Sequence, residues 1–156
     1  MTAVALRRAT VEDAQLLAEH RAAIWVEVGD WSAEAMAAQT PVWTDFTRRT
    51  VADGTYVAWI AEERGEPIAS GAILVQLAIP RPGSDSERAG RVQSVYVVPP
   101  ARRRGVARAV MDALLADARD LGLIWLSLHP SDEARGLYAS MGFTAGDEML
   151  LRLSGA

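Results

Sequence analysis

The segment Val92-Gln93-Ser94-Val95-Tyr96-Val97-Val98-Pro99-Pro100-Ala101-Arg102-Arg103-Arg104-Gly105-Val106-Ala107 restricts the fold more than any other part of the chain. β-branched residues favour extended backbone up to Val98, and the prolines that follow cannot donate to a sheet ladder, so a strand ends near Pro99. Beyond Gly105, apolar residues recur at Val106, Val110, Ala113, Leu114 and Leu121 with Arg108, Asp112, Asp117 and Arg119 between them. That is helical spacing, and the segment reads as strand, arginine-rich turn and helix. The first amides of such a helix have no intrahelical partner and carry the positive end of its dipole, which suits an anion. Gly105 and Ala107 keep bulk away from a ligand pressed on the backbone, and three consecutive arginines add charge. A phosphate or pyrophosphate is the expected guest.

The rest of the chain can be read around this unit. Ala5 to Ala9 suits a first strand, and Thr10-Val11-Glu12-Asp13 supplies an N-cap and acidic first turn for a helix whose apolar stripe is Ala14, Leu17, Ala18, Ile24, Trp25 and Val28. Gly29 is the expected left-handed stop. Ser32 caps a second helical piece through Ala38, and Thr40-Pro41 looks like the start of a third, divided from it by Pro41. Residues 55–61 and 67–77 then switch to a period of two, joined by Glu63-Arg64-Gly65-Glu66 as a hairpin. Pro80 to Arg88 reads as a surface loop. Gly122 ends the long helix, 123–128 reads as a buried strand, and Ser131 caps a last helix closed by Gly142. Residues 143–145 and 149–153 are expected to pair as a closing hairpin. The order predicts an α/β chain with a mixed central sheet and helices on both faces, in one domain over 1–156.

Composition excludes several classes of function. A chain of 156 residues can bury a core without staples. It contains no cysteine and only His20 and His129, so a disulfide, a thiolate nucleophile and the usual zinc sites are not expected, and no metal is predicted. The net charge of −4 argues against general nucleic-acid binding. No apolar stretch suits a signal peptide or a membrane span, which predicts a soluble cytoplasmic protein.

Two motifs carry a family resemblance. Arg102-x-x-Gly105-x-Ala107, after a Val-x-Val-x-Pro strand, resembles the coenzyme A pyrophosphate loop of the GNAT acetyltransferases, Gln/Arg-x-x-Gly-x-Gly/Ala. Leu137-Tyr138-x-x-x-Gly142-Phe143 follows about 30 residues later, and the order of elements is similar to that family over nearly the whole chain. The resemblance implies an acyl-CoA-dependent N-acetyltransferase using acetyl-CoA and a small-molecule amine, with homodimer formation a further expectation. It places the pyrophosphate on Arg102, Arg103, Arg104, Gly105, Val106 and Ala107, and the pantetheine arm along the backbone of Tyr96 and Val97. It also makes Tyr138 the general acid that protonates the departing thiolate; a phenol of pKa about 10 can donate at neutral pH.

The chain departs from the family at two places. Ser131 stands where an asparagine is common, and Arg91-Val92-Gln93-Ser94 has no carboxylate where many members carry a catalytic glutamate. The proton of the incoming amine then needs another acceptor, His129 or water, while His20 is read as surface. Trp25, Trp31 and Trp43 with Glu27, Asp30, Glu34 and Asp45 suggest an acceptor pocket between the first helices and the 80–88 loop. The missing glutamate also permits a different kind of protein, a coenzyme A-binding sensor that does not turn its ligand over.

Overall fold

The computed structural model describes residues 2–154. Its elements run β1 (Val4–Arg8), α1 (Ala14–Val28), α2 (Ala33–Asp53), β2 (Tyr56–Glu63), β3 (Glu66–Leu77), β4 (Arg88–Val97), α3 (Val106–Asp120), β5 (Leu126–Ser127) and α4 (Arg135–Ser140). The five strands form one sheet in the order β1-β2-β3-β4-β5, antiparallel except for the β4–β5 pair. This is the mixed α/β architecture that the sequence predicts.

Two apolar clusters sandwich the sheet. On one side Val106, Val110, Met111 and Leu114 of α3 pack on Ala61, Ile68, Ala69 and Ile73. On the other, Leu17 of α1 meets Tyr56, Ala58, Ile60 and Ala72, with Val51 of α2 against the same cluster. The β2–β3 hairpin turns on Arg64 (φ 56°) and Gly65 (φ 79°), the paired left-handed residues whose twist matches that of the strands they join. Asp117, near the far end of α3, accepts from Arg8 Nη2 at 2.7 Å and from Trp59 Nε1 at 2.6 Å, tying α3 to two strands.

Several expectations are corrected. Pro41 does not divide two helices but lies inside one, α2. Proline removes a single N–H from the ladder, and the turns on either side close normally, with Thr40 and Thr44 also donating their hydroxyls to Met36 and Thr40 carbonyls at 2.8 Å. Gly29 ends α1 with φ −122°, outside the left-handed region, and the positive φ falls on Asp30 instead. The strand expected over 123–128 is only two residues long, because β5 pairs with β4 at Gly90↔Leu126 and Arg91↔Ser127 and no further. The closing hairpin does not form among the described residues: Phe143 packs on the α3-side core, but 143–154 make no strand, and Met149, Leu150, Leu151 and Leu153 are exposed. Gly122 and Gly142 do close their helices, each followed by a residue whose amide reaches back to the last turn, Leu123 to Ala118 and Phe143 to Tyr138, both at 3.0 Å. Among the described residues no helix is long and apolar enough to cross a membrane.

Candidate acetyl-coenzyme A site

The short β5 leaves an opening in the sheet. β4 is paired with β3 out to Val97, but the edge facing β5 has no strand partner beyond Arg91. A cleft of about 500 Å³ lies there, lined by Val95, Tyr96 and Val97 of β4, by Arg102, Arg103, Gly105, Val106, Ala107 and Arg108 of the turn and α3, and by Ser131, Leu137 and Tyr138 from the α4 side. An extended ligand can add to such an edge as a strand would.

The floor of the cleft is the start of α3. Gly105 is the N-cap at φ 78°, a conformation that L side chains rarely adopt, and no side chain caps the helix. Nothing lies within 4 Å of the position a Cβ on Gly105 would take. The first amides of α3 are therefore free of protein partners and open to an anion, so the residues present fit a pyrophosphate. Arg103 is exposed, with φ 62°, and lines the cleft. Arg102 donates from Nε to the Val97 carbonyl at 2.9 Å and from Nη2 to Glu27 Oε2 at 2.7 Å. Arg104 is the exception among the predicted residues: it pairs with Glu63 of β2 and does not line the cleft. An arginine in a charged run goes to whichever carboxylate is near, and Glu63 at the end of β2 is near.

Tyr138 lies at the α4 side of the cleft, only 8% exposed, its ring 5.8 Å from that of Phe143 in an edge-on arrangement. Among the described residues its hydroxyl has no hydrogen-bond partner and, as no buried polar side-chain atom there is left unpaired, it is not sealed from solvent; Tyr138 lines the cleft. Burial pushes the phenol above its ordinary pKa, which keeps it protonated at neutral pH. Ser131 also lines the cleft and caps the turn before α4 through its Oγ, 3.3 Å from the Ala134 amide.

The opposite wall is α1, and here the sequence reading is corrected. His20 is buried rather than on the surface: its Nδ1 lies 2.7 Å from Ser70 Oγ and its ring 5.0 Å from Tyr96. Burial lowers its pKa below the usual histidine value. His129 is exposed. Glu27, expected beside an acceptor cation, is the partner of Arg102 at the cleft mouth. Asp45 pairs with Arg48 and Arg49 of its own helix on a solvated face. The 80–88 loop does not cover Trp25 and Trp43 either; Arg81 stacks 4.2 Å over Trp125, and Ser86 donates to the Gly122 carbonyl at 2.6 Å, laying the loop against the end of α3.

Sequence reading missed Arg21. It comes off α1 one turn before Trp25, lies with its guanidinium 5.8 Å from the Trp25 ring and 5.1 Å from that of Trp43, and donates from Nη1 to Ser94 Oγ at 3.0 Å and Gln93 Oε1 at 3.3 Å. A basic residue one turn from a tryptophan within an apolar stripe was the available signal. Ser94 has φ 54°, and the β3–β4 register shifts between Ser70 and Ala72, so a bulge marks the place.

A mixed sheet opened beside the bare start of a helix is an arrangement that suits an acyl-group transferase. The model of the acetyltransferase (GNAT) family matches residues 16–143, and the chain belongs to that family. It is similar to the solved structure of a GCN5-related N-acetyltransferase from Ralstonia eutropha JMP134, with 30% identity, 98% of this chain and 100% of that one covered, and a TM-score of 0.88. A predicted acetyltransferase from Clostridium acetobutylicum, solved with acetyl-CoA, is 26% identical over 96% of each chain with a TM-score of 0.86. Glucosamine-6-phosphate N-acetyltransferase from Arabidopsis thaliana shares the fold at 17% identity, with 96% of this chain and 97% of that one covered and a TM-score of 0.69. Acetyl-CoA-dependent acyl transfer is the activity this membership supports.

Proposed function

We propose that the protein transfers an acetyl group from acetyl-CoA to the primary amine of a small molecule, with Tyr138 as general acid. The observation that carries this reading is the Tyr138 hydroxyl, protonated and without a partner among the described residues, in the same cleft as the open start of α3. When bound, acetyl-CoA supplies an activated thioester carbonyl. The α3 amides with Arg102 and Arg103 hold the diphosphate, and the free edge of β4 at Tyr96 and Val97 takes the pantetheine arm. The C–N bond forms as the C–S bond breaks, Tyr138 donates its proton to the sulfur, and the products are the N-acetyl amine and the free thiol. Gln93, which accepts from Arg21, cannot serve as a base, so the amine's surplus proton leaves to water, and the Tyr138 phenolate regains a proton from water before the next turnover.

Thiol release with a panel of primary amines tests this reading in wild type and Tyr138→Phe. The substitution keeps the ring and removes only the donor. Positioned acids contribute roughly 10²–10⁴-fold, and the lower end is expected because a thiolate is already a tolerable leaving group. Turnover should fall while acetyl-CoA affinity holds. Equal rates in the two proteins overturn the acid role, and binding of acetyl-CoA without turnover of any amine by wild type makes the protein a sensor.

A further inference from the structure

Arg21 is held in an unusual setting for a cation. Seven arginines pair with a carboxylate, namely Arg7, Arg8, Arg48, Arg49, Arg102, Arg104 and Arg135, and none of the ion pairs among the described residues involves Arg21; Arg64, Arg88, Arg91 and Arg108 also bond only neutral groups, but none of those four is set between two indoles. Arg21 is nonetheless half-buried between two indoles. Removing a guanidinium from water without a counter-charge is costly, and the chain offers only neutral partners, Gln93 Oε1 and Ser94 Oγ. Both of those bonds leave from Nη1. Among the described residues Nε and Nη2 have no acceptor, and as no buried polar side-chain atom there is left unpaired, neither is sealed from solvent. Together they form the planar two-donor edge that matches a carboxylate.

Its location matters as much as its chemistry. A ligand whose diphosphate sits at Gly105 and whose arm runs back along Val97 and Tyr96 brings its reactive end toward Val95 and Ser94. Arg21 is hydrogen-bonded to Ser94. Arg21 and Ser94 do not themselves line the cleft, but Ser94 adjoins Val95, which does, and Arg21 comes from α1, which packs on the face of the sheet opposite the α3-side core that includes Tyr138. We infer that Arg21 is the acceptor anchor, and that the substrate is an amino acid or related amine carrying a carboxylate close to the nucleophilic nitrogen, with Trp25 and Trp43 framing the anion site. One guanidinium with a hydroxyl neighbour balances a monoanion, whereas a phosphate dianion would need a further positive charge. The inference rests on the acetyl-transfer reading for its direction of attack, but the anion site itself does not.

The test compares matched pairs: the common α-amino acids against the amines formed by their decarboxylation, and phosphoethanolamine against ethanolamine. Wild type should acetylate the best amino acid with kcat/KM at least tenfold above its decarboxylated match. Arg21→Gln should erase that preference mainly through KM, Arg21→Lys should restore part of it, and both should bind coenzyme A as wild type does, which shows that they fold. A preference for uncharged amines, a preference that survives in Arg21→Gln, or phosphoethanolamine outrunning every amino acid overturns the assignment. Calorimetric titration of the coenzyme A-loaded protein with the same compounds separates the two readings. Amino-acid binding that is lost in Arg21→Gln, without turnover, keeps the anchor and removes the acetyl-transfer reading; absence of such binding, together with absence of turnover, removes the anchor as well.

Discussion

Arg102 Nη2 lies 2.7 Å from Glu27 Oε2, a pair that joins residues 75 positions apart, both lining the cleft, one in the turn before α3 and the other on α1. The arginine expected to meet the diphosphate is therefore engaged by a carboxylate of the same chain. Under the binding mode proposed above, an incoming diphosphate would compete with Glu27 for one guanidinium.

Glu27→Gln should for that reason tighten coenzyme A binding. A half-exposed ion pair contributes about 0.2–1 kcal/mol, so the gain should be at most about fivefold in Kd. Isothermal titration at two salt concentrations checks it. Weaker binding in the variant would show that Glu27 supports the ligand rather than competing with it.

Gly105→Glu should have the opposite effect. A side chain at φ 78° is strained, and a carboxylate there stands against the anion. Coenzyme A affinity should fall at least tenfold, about 1.4 kcal/mol, with the circular dichroism spectrum unchanged. Undiminished affinity would remove the diphosphate from this turn.

His20 should make folding stability depend on pH. Its folded pKa lies below the ordinary value of 6.5 because burial disfavours the charged ring. The unfolded chain then binds more protons, so the stabilisation is complete above the unfolded pKa and declines as pH falls through the folded one. Urea unfolding of wild type should lose stability from about pH 6.5 downward, and His20→Gln should show a shallower loss between there and the range where carboxylates titrate. Identical slopes would show that His20 protonates freely in the folded protein.

Leu114 is fully buried between α3 and the sheet. Leu114→Ala should destabilise the fold by about 2–5 kcal/mol, as cavity-forming core substitutions do. Denaturant midpoints at constant slope measure this; a loss well under that range would mean that α3 settles into the vacated space.

What could be read from the chain depended on how far apart the cooperating residues lie. The hairpin over 56–77 was legible because Arg64-Gly65 and the alternation beside it are local, and the turn from β4 into α3 was legible because its whole motif fits within six residues. Pro41 misled for the reason it is usually informative: it removes an N–H, but a helix supported on both sides loses only that bond. Residues 149–153 have the apolar character of a strand, yet a strand needs an edge to pair with, and no residue in the tail says which edge that is. His20 with Ser70, Arg21 with Gln93 and Arg102 with Glu27 join positions 50, 72 and 75 apart, and nothing in one sequence marks such partners.

Asp117 sits eleven residues beyond Val106 on α3, about 16 Å along the axis at 1.5 Å per residue. Its two carboxylate oxygens are fastened to Arg8 of β1 and Trp59 of β2. α3 thus behaves as a beam clamped at its far end, with its leading turn projecting into the cleft. Stiffness of this kind lets a ligand's contacts act on a surface already in place, with little chain to be ordered on arrival. The amides in the middle of α3 should then be among the slowest in the protein to exchange with deuterium, with or without coenzyme A.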